Sequence, residues 1–167
     1  MNCVLLRYFD MRLTVFLLLI LIGFNSRAQC DSVNATNQQI INLVSAKIGK
    51  KVLRGECWDL AKYALDEVGA DWDGLYEFGR LLAPNECIMP GDIIQFKNVK
   101  LKYKRGTSTY TEIMTHHTAI IYEVKSADEI VLLHQNTAVY GKKVAPSPMK
   151  FSTIIKGTYK IYRPTKN

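Results

Sequence analysis

The sequence predicts one α+β domain, with helices first and an antiparallel sheet after them. Three observations carry this. Apolar residues recur at helical spacing in two segments before residue 70, and the pattern changes to strands after Pro90-Gly91. Linkers as tight as Lys125-Ser126-Ala127-Asp128 then imply hairpins. Helices followed by strands place the helices on one side of the sheet. A chain of 167 residues fills one core comfortably and not two. An apolar share of 48% without repeats or biased tracts excludes a disordered chain.

The first 28 residues read as a secretory signal peptide. Met11-Arg12-Leu13 opens an apolar run, Val15–Ile22, and Ser26 and Ala28 are the small residues a signal peptidase needs before Gln29. The stretch from Leu13 to Phe24 falls short of the roughly 20 residues of a bilayer span, so the membrane is met only through this leader. The expected mature chain is a single domain, 29–167, acting as a monomer outside the cell or in a periplasm.

Within it, Ile40, Ile41, Val44 and Ile48 set a helix over Asn34–Ile48, with Gly49 as its stop. Asn34-Ala35-Thr36 is also a formal N-glycosylation sequon. A second helix starts near Cys57, buries Leu60, Ala61, Ala64, Leu65 and Val68, and ends at Gly69. Residues 70–90 read as irregular, with one helical turn around Leu75–Leu82. Strands follow at Asp92–Phe96, Val99–Lys104, Thr118–Val124, Glu129–Gln135 and Thr158–Tyr162. Lys100, Lys102, Lys104 and Arg105 alternate with Leu101 and Tyr103, the solvated face of an edge strand guarded by charge.

The formal charge is +7, and a leader ending at Ala28 takes away Arg7, Arg12, Arg27 and Asp10, leaving +5. A basic secreted chain is drawn to anionic surfaces such as cell-wall polymers. There is no zinc-finger spacing and no aromatic-basic ribonucleoprotein signature, so nucleic-acid readout is excluded. The mature chain keeps Cys30, Cys57 and Cys87, an odd number. In an oxidising compartment, pairing Cys30 with Cys87 leaves the chemically best-placed thiol free.

That thiol belongs to Cys57. Gly55-Glu56-Cys57-Trp58 places it at a helix start, where unpaired N–H groups and the helix dipole favour an anion and should lower the thiol pKa. Gly55 leaves room for a substrate backbone. Downstream, His117, Ala119 and Ile121 share one face of a strand, and the following strand ends with His134 and Asn136 on one face. Adjacent antiparallel strands bring His117 toward these two side chains. A thiol, a base and a polar group to orient the base make an activated nucleophile. His116, on the opposite face, reads as solvated. Trp58 reads as packing between helix and sheet, and Asp59 as an N-terminal helix charge. Cys57, His117 and His134 have no fourth ligand motif for structural zinc, so neither metal nor cofactor is expected.

In their order, Gly55-Glu56-Cys57-Trp58, Pro90-Gly91-Asp92-Ile93-Ile94-Gln95-Phe96, His117-Thr118-Ala119-Ile120-Ile121 and His134-Gln135-Asn136 resemble the CHAP family of cysteine, histidine-dependent amidohydrolases/peptidases. The chain is also similar to the related NlpC-like peptidases. The resemblance implies a papain-like fold, Cys57 as nucleophile and His117 as base. For the third group it implies Asn136, by the CHAP pattern, or His134, by the NlpC-like preference for a second histidine; His134 stands in the acidic position of the CHAP pattern and is preferred. The implied substrate is an amide of peptidoglycan, and the implied activity is that of a secreted cysteine amidase or peptidase. A second expectation, motivated by the altered third position, is a secreted binding module that keeps the fold without turnover.

Overall fold

The computed structural model describes residues 30–166, so the leader expected over 1–28 lies outside the described residues. Two helices, α1 (Ala35–Ser45) and α2 (Cys57–Val68), precede six strands: β1 (Arg80–Leu81), β2 (Ile93–Arg105), β3 (Ser108–Val124), β4 (Glu129–His134), β5 (Ala145–Lys150) and β6 (Ile154–Arg163). The strands form one antiparallel sheet in the order β1-β6-β2-β3-β4-β5. This is the α+β arrangement the sequence predicted.

The two faces of the sheet bury different sets. Ile93, Ile120, Leu133 and Tyr162 pack with Ile40, Val44, Leu60, Ala64 and Leu65, so both helices cover one face. Ile94, Phe96, Leu101, Met114, Ala119, Ile121, Leu132 and Met149 fill the other. At ~25 cal/mol per Å² of apolar surface, burial on both faces is the dominant stabilising term.

Several boundaries differ from the sequence reading. The side chain of Asn34 accepts the Asn37 N–H at 2.8 Å and caps α1, which stops at Ser45 and not at Ile48. No helical turn forms around Leu75–Leu82; Arg80 and Leu81 instead pair with Arg163 and Tyr162. The strands expected at 92–96 and 99–104 are one strand, β2, irregular where Asn98 takes a φ of 52°. β6 pairs with β2 only as far as Leu101, so Lys102–Arg105 have β3 on one side and no strand partner on the other among the described residues, the charged edge the sequence predicted. β3 begins at Ser108, ten residues before the expected Thr118, and β5 was not expected at all.

The Pro-Gly-Asp turn ahead of β2 is a lock. Asp92 is fully buried and takes Arg163 through Nε at 3.0 Å and a terminal nitrogen at 2.8 Å. It also accepts from Asn37 Nδ2 at 2.9 Å and from the Met89 N–H at 2.9 Å. Gly91, at φ +89°, lets the α1 backbone approach so closely that a Cβ would stand 2.6 Å from the Asn37 carbonyl oxygen. Nearby, Cys30 and Cys87 form a disulfide, the pairing the sequence predicted, and Cys57 is the free cysteine among the described residues.

Candidate active site

Cys57 is the first residue of α2. Glu56 holds the N-cap position with extended backbone, and the Asp59 carboxylate accepts the Glu56 N–H at 3.1 Å. Arg54 closes on the same carboxylate at 2.8 Å. Burial opposes ionisation of Asp59, but the Arg54 hydrogen bonds and charge and the Glu56 N–H outweigh it, holding the carboxyl below its usual range. Asp59 is therefore more than a helix-start charge: it braces the turn that carries the thiol.

A second brace comes from the far end of the chain. Gln135, fully buried just past β4, accepts the Val52 N–H at 3.0 Å and donates to the carbonyls of Val52 at 3.0 Å and Glu56 at 2.8 Å. Gln135 had not been singled out as a site residue, although it stands between His134 and Asn136 and an uncharged amide that both donates and accepts is suited to pair with a peptide unit. The Glu56 carboxylate meets Asn136 Nδ2 at 2.7 Å and Lys142 Nζ at 2.8 Å. The room at Gly55 is taken by this chain itself, since a Cβ there would come within 2.8 Å of Lys142.

The Cys57 sulfur lies 3.9 Å from the His116 carbonyl, and the Thr118 N–H also points to it. The thiol thus rests on the main chain of β3 on both sides of His117. Burial pushes its pKa up, more than the N–H groups of Thr118, Trp58 and Cys57 push it down, and the Glu56 charge adds to the rise. This corrects the expectation of a depressed thiol pKa. The helix terminus does act in that direction, but desolvation of the thiolate is larger.

His117 and His134 are both buried, on the sheet face away from the helices. His117 Nε2 is 2.9 Å from His134 Nδ1, and His134 Nε2 is 2.8 Å from Ser147 Oγ. His117 also stacks on Phe96, with ring centroids 6.4 Å apart. Burial lowers the His117 pKa to about 4; burial, together with the neighbouring His117, lowers that of His134 to about 3. Both rings are neutral near pH 7. One direction of the proton chain, with His117 Nε2–H donating to His134 Nδ1 and His134 Nε2–H donating to Ser147, leaves His117 Nδ1 as a free acceptor.

Of the four residues singled out, His117 and His134 are hydrogen-bonded to each other, Cys57 meets the main chain on either side of His117, and Asn136 turns away to Glu56. β4 ends at His134, and Asn136 takes a φ of 60°, which breaks the strand alternation and turns its amide to Glu56. Ser147 was missed because Ala145-Pro146-Ser147-Pro148 does not read as a strand. His116 is exposed and edge-on to Tyr76, with centroids 4.3 Å apart. Trp58 packs against Trp72 at 5.5 Å and donates to the Leu75 carbonyl, facing the 70–78 loop. Among the described residues no group of three or more His, Cys, Asp or Glu could hold a metal ion.

A helix opening on a free cysteine and packed on an antiparallel sheet that carries histidine is the plan of a cysteine proteinase-fold domain. The chain belongs to the AIM3/BBC1 cysteine proteinase-fold domain family, whose profile matches residues 31–167. No curated protein matches the sequence significantly. The crystal structure of Ly7917 aligns with 77% of this chain and 62% of that one, at 17% identity and a TM-score of 0.46.

Proposed function

We propose that this protein is a cysteine-dependent amide hydrolase. The observation that supports it most is the free thiol of Cys57, seated on the β3 main chain on both sides of a buried His117 whose Nε2 is held by His134. In this reading His117 Nδ1 takes the Cys57 proton as sulfur attacks the carbonyl carbon, and returns it to the amine as the C–N bond breaks. Water then hydrolyses the thioester. The Cys57 N–H stabilises the oxyanion, because the upstream side chains of Arg54 and Glu56 are engaged elsewhere. His134 orients the base through the Ser147-anchored chain.

The resemblance to CHAP and NlpC-like enzymes supports a papain-like fold of that type and supplies the first substrate to try, the peptide amides of peptidoglycan. The apolar leader, together with a disulfide, supports secretion. The experiment is incubation of the protein with peptidoglycans of different stem-peptide chemistry, followed by mass analysis of the fragments. New amine and carboxyl termini are expected with the wild type and none with Cys57→Ala. Equal products from both would end the nucleophile assignment.

One observation favours a binding module without turnover: burial raises the Cys57 thiol where an activated nucleophile would have it lowered. Absence of turnover on every amide substrate, with binding retained by Cys57→Ala, would establish that reading.

A further inference from the structure

The two outer edges of the sheet are closed to a further strand. β1 is two residues long. β5 carries Pro146 and Pro148, whose nitrogens have no hydrogen to offer. Short edges and prolines are ordinary defences against added strands. β3 lacks them. Its 17 residues pair with β2 along one side, but with β4 only over Ile120–Val124. Between Ser108 and Thr118 its other side has no strand partner among the described residues. The sequence there, Ser108-Thr109-Tyr110-Thr111-Glu112-Ile113-Met114-Thr115, is rich in β-branched and aromatic residues and contains neither Lys nor Pro.

Two further observations point to what this open side receives. The Cys57 sulfur stands at its end, on the His116 carbonyl, where a partner strand would bring its own amides. Beside it runs a groove of about 720 Å³ between the β2–β3 hairpin and β4–β5, lined by Tyr103, Tyr110, Met114, Leu132 and Met149 and reaching His134.

We propose that the open side of β3 is the docking edge for an extended polypeptide of L-residues, which adds to the sheet as a strand and carries an amide to Cys57. This names a substrate class for the site and rests on the hydrolase reading. Backbone hydrogen bonds supply affinity, and every second side chain, apolar or aromatic, enters the groove. At ~3.4 Å per residue, Ser108–Thr115 offers an edge of about 27 Å. A regular ladder favours residues of one hand, so an all-L peptide is the first probe of this edge.

The test uses the full-length Cys57→Ala protein and a pool of all-L heptapeptides with Tyr, Phe, Leu or Val at alternate positions and Thr or Ser between. The tightest member is compared with two analogues, N-methylated on alternate sets of backbone nitrogens. One analogue should lose at least tenfold in affinity and the other little, since only one set of N–H groups faces β3. Amide hydrogen exchange should slow at alternate residues of Ser108–Thr115. Equal affinity of all three peptides, protection elsewhere, or no binding by any peptide overturns the strand addition. Peptidoglycan cleavage by the wild type in the absence of peptide binding would overturn the docking and keep the hydrolase. The expected docking pattern, with wild-type protein cleaving no bound peptide, would keep the docking edge and remove the hydrolase.

Discussion

His134 Nδ1 lies 2.9 Å from His117 Nε2, and the direction of that one hydrogen bond sets whether His117 can act as a base. If Ser147 donates to His134, the chain reverses and His117 Nδ1 carries a proton it must then lose. We expect His134→Ala to lower kcat/KM by about 10²-fold through loss of orientation. Asn136→Ala removes a bond to Glu56 at an exposed position and should cost less than about fivefold. The opposite ranking in steady-state kinetics would return the orienting role to Asn136.

Ser147→Ala tests the anchor of the same chain. A single neutral hydrogen bond contributes ~1 kcal/mol, so kcat should fall about fivefold with KM unchanged. An effect as large as that of His134→Ala would mean that Ser147 takes part directly.

Burial raises the Cys57 thiol, so its alkylation should follow pH in a particular way. The rate constant with iodoacetamide should climb tenfold per pH unit and still be rising above pH 9. A plateau near pH 7 would show that the helix start, and not desolvation, governs the thiol.

The histidine pair also links stability to pH. In the fold His117 and His134 sit at about 4 and about 3, below the 6.5 of an unfolded histidine. The unfolded chain therefore binds more protons between these values. Stability is complete above about pH 6.5 and declines as pH falls through 4 toward 3. Urea midpoints at pH 7.5 and pH 4.5 should differ, and His134→Gln should narrow the difference. An unchanged gap would place the acid sensitivity elsewhere.

The disulfide closes 57 residues of sequence separation. Loop-closure entropy gives about 4 kcal/mol for a crosslink of that span. Cys30→Ser with Cys87→Ser should lower the urea stability by about that amount while Cys57 keeps its reactivity. A change below ~1 kcal/mol would show that Asp92 and Arg163 hold this corner unaided.

How much of this was legible in the sequence follows from the range of the forces involved. The Cys57 helix start, its Gly69 stop and the Val124-to-Glu129 hairpin are local, and they read correctly. β5 was hidden because its two prolines are tolerated only at an edge, a property of the finished sheet. The single long β2 was hidden because its alternation breaks at Asn98, where close approach of Gly157 leaves 2.3 Å between a Cβ there and the Asn98 oxygen. In the site, strand parity paired His117 with His134 correctly. The same parity failed for Asn136, whose left-handed backbone no alternation rule anticipates. The thiol shift was misjudged because a helix terminus is visible in a sequence and desolvation is not.

Gln135 and Val52 meet across 83 positions of sequence, whereas β2–β3, β3–β4 and β4–β5 join neighbours. Contacts between distant positions bear the larger loop-closure entropy and form late in folding. The turn before Cys57 can take its final shape only after the β4 hairpins exist to present Gln135. We expect pulse alkylation during refolding to find Cys57 open until after the β2–β5 amides are protected, and early protection of the thiol would refute this order. Assembly thus has a sequence in time: the scaffold stands first, and the seat of Cys57 is its last product.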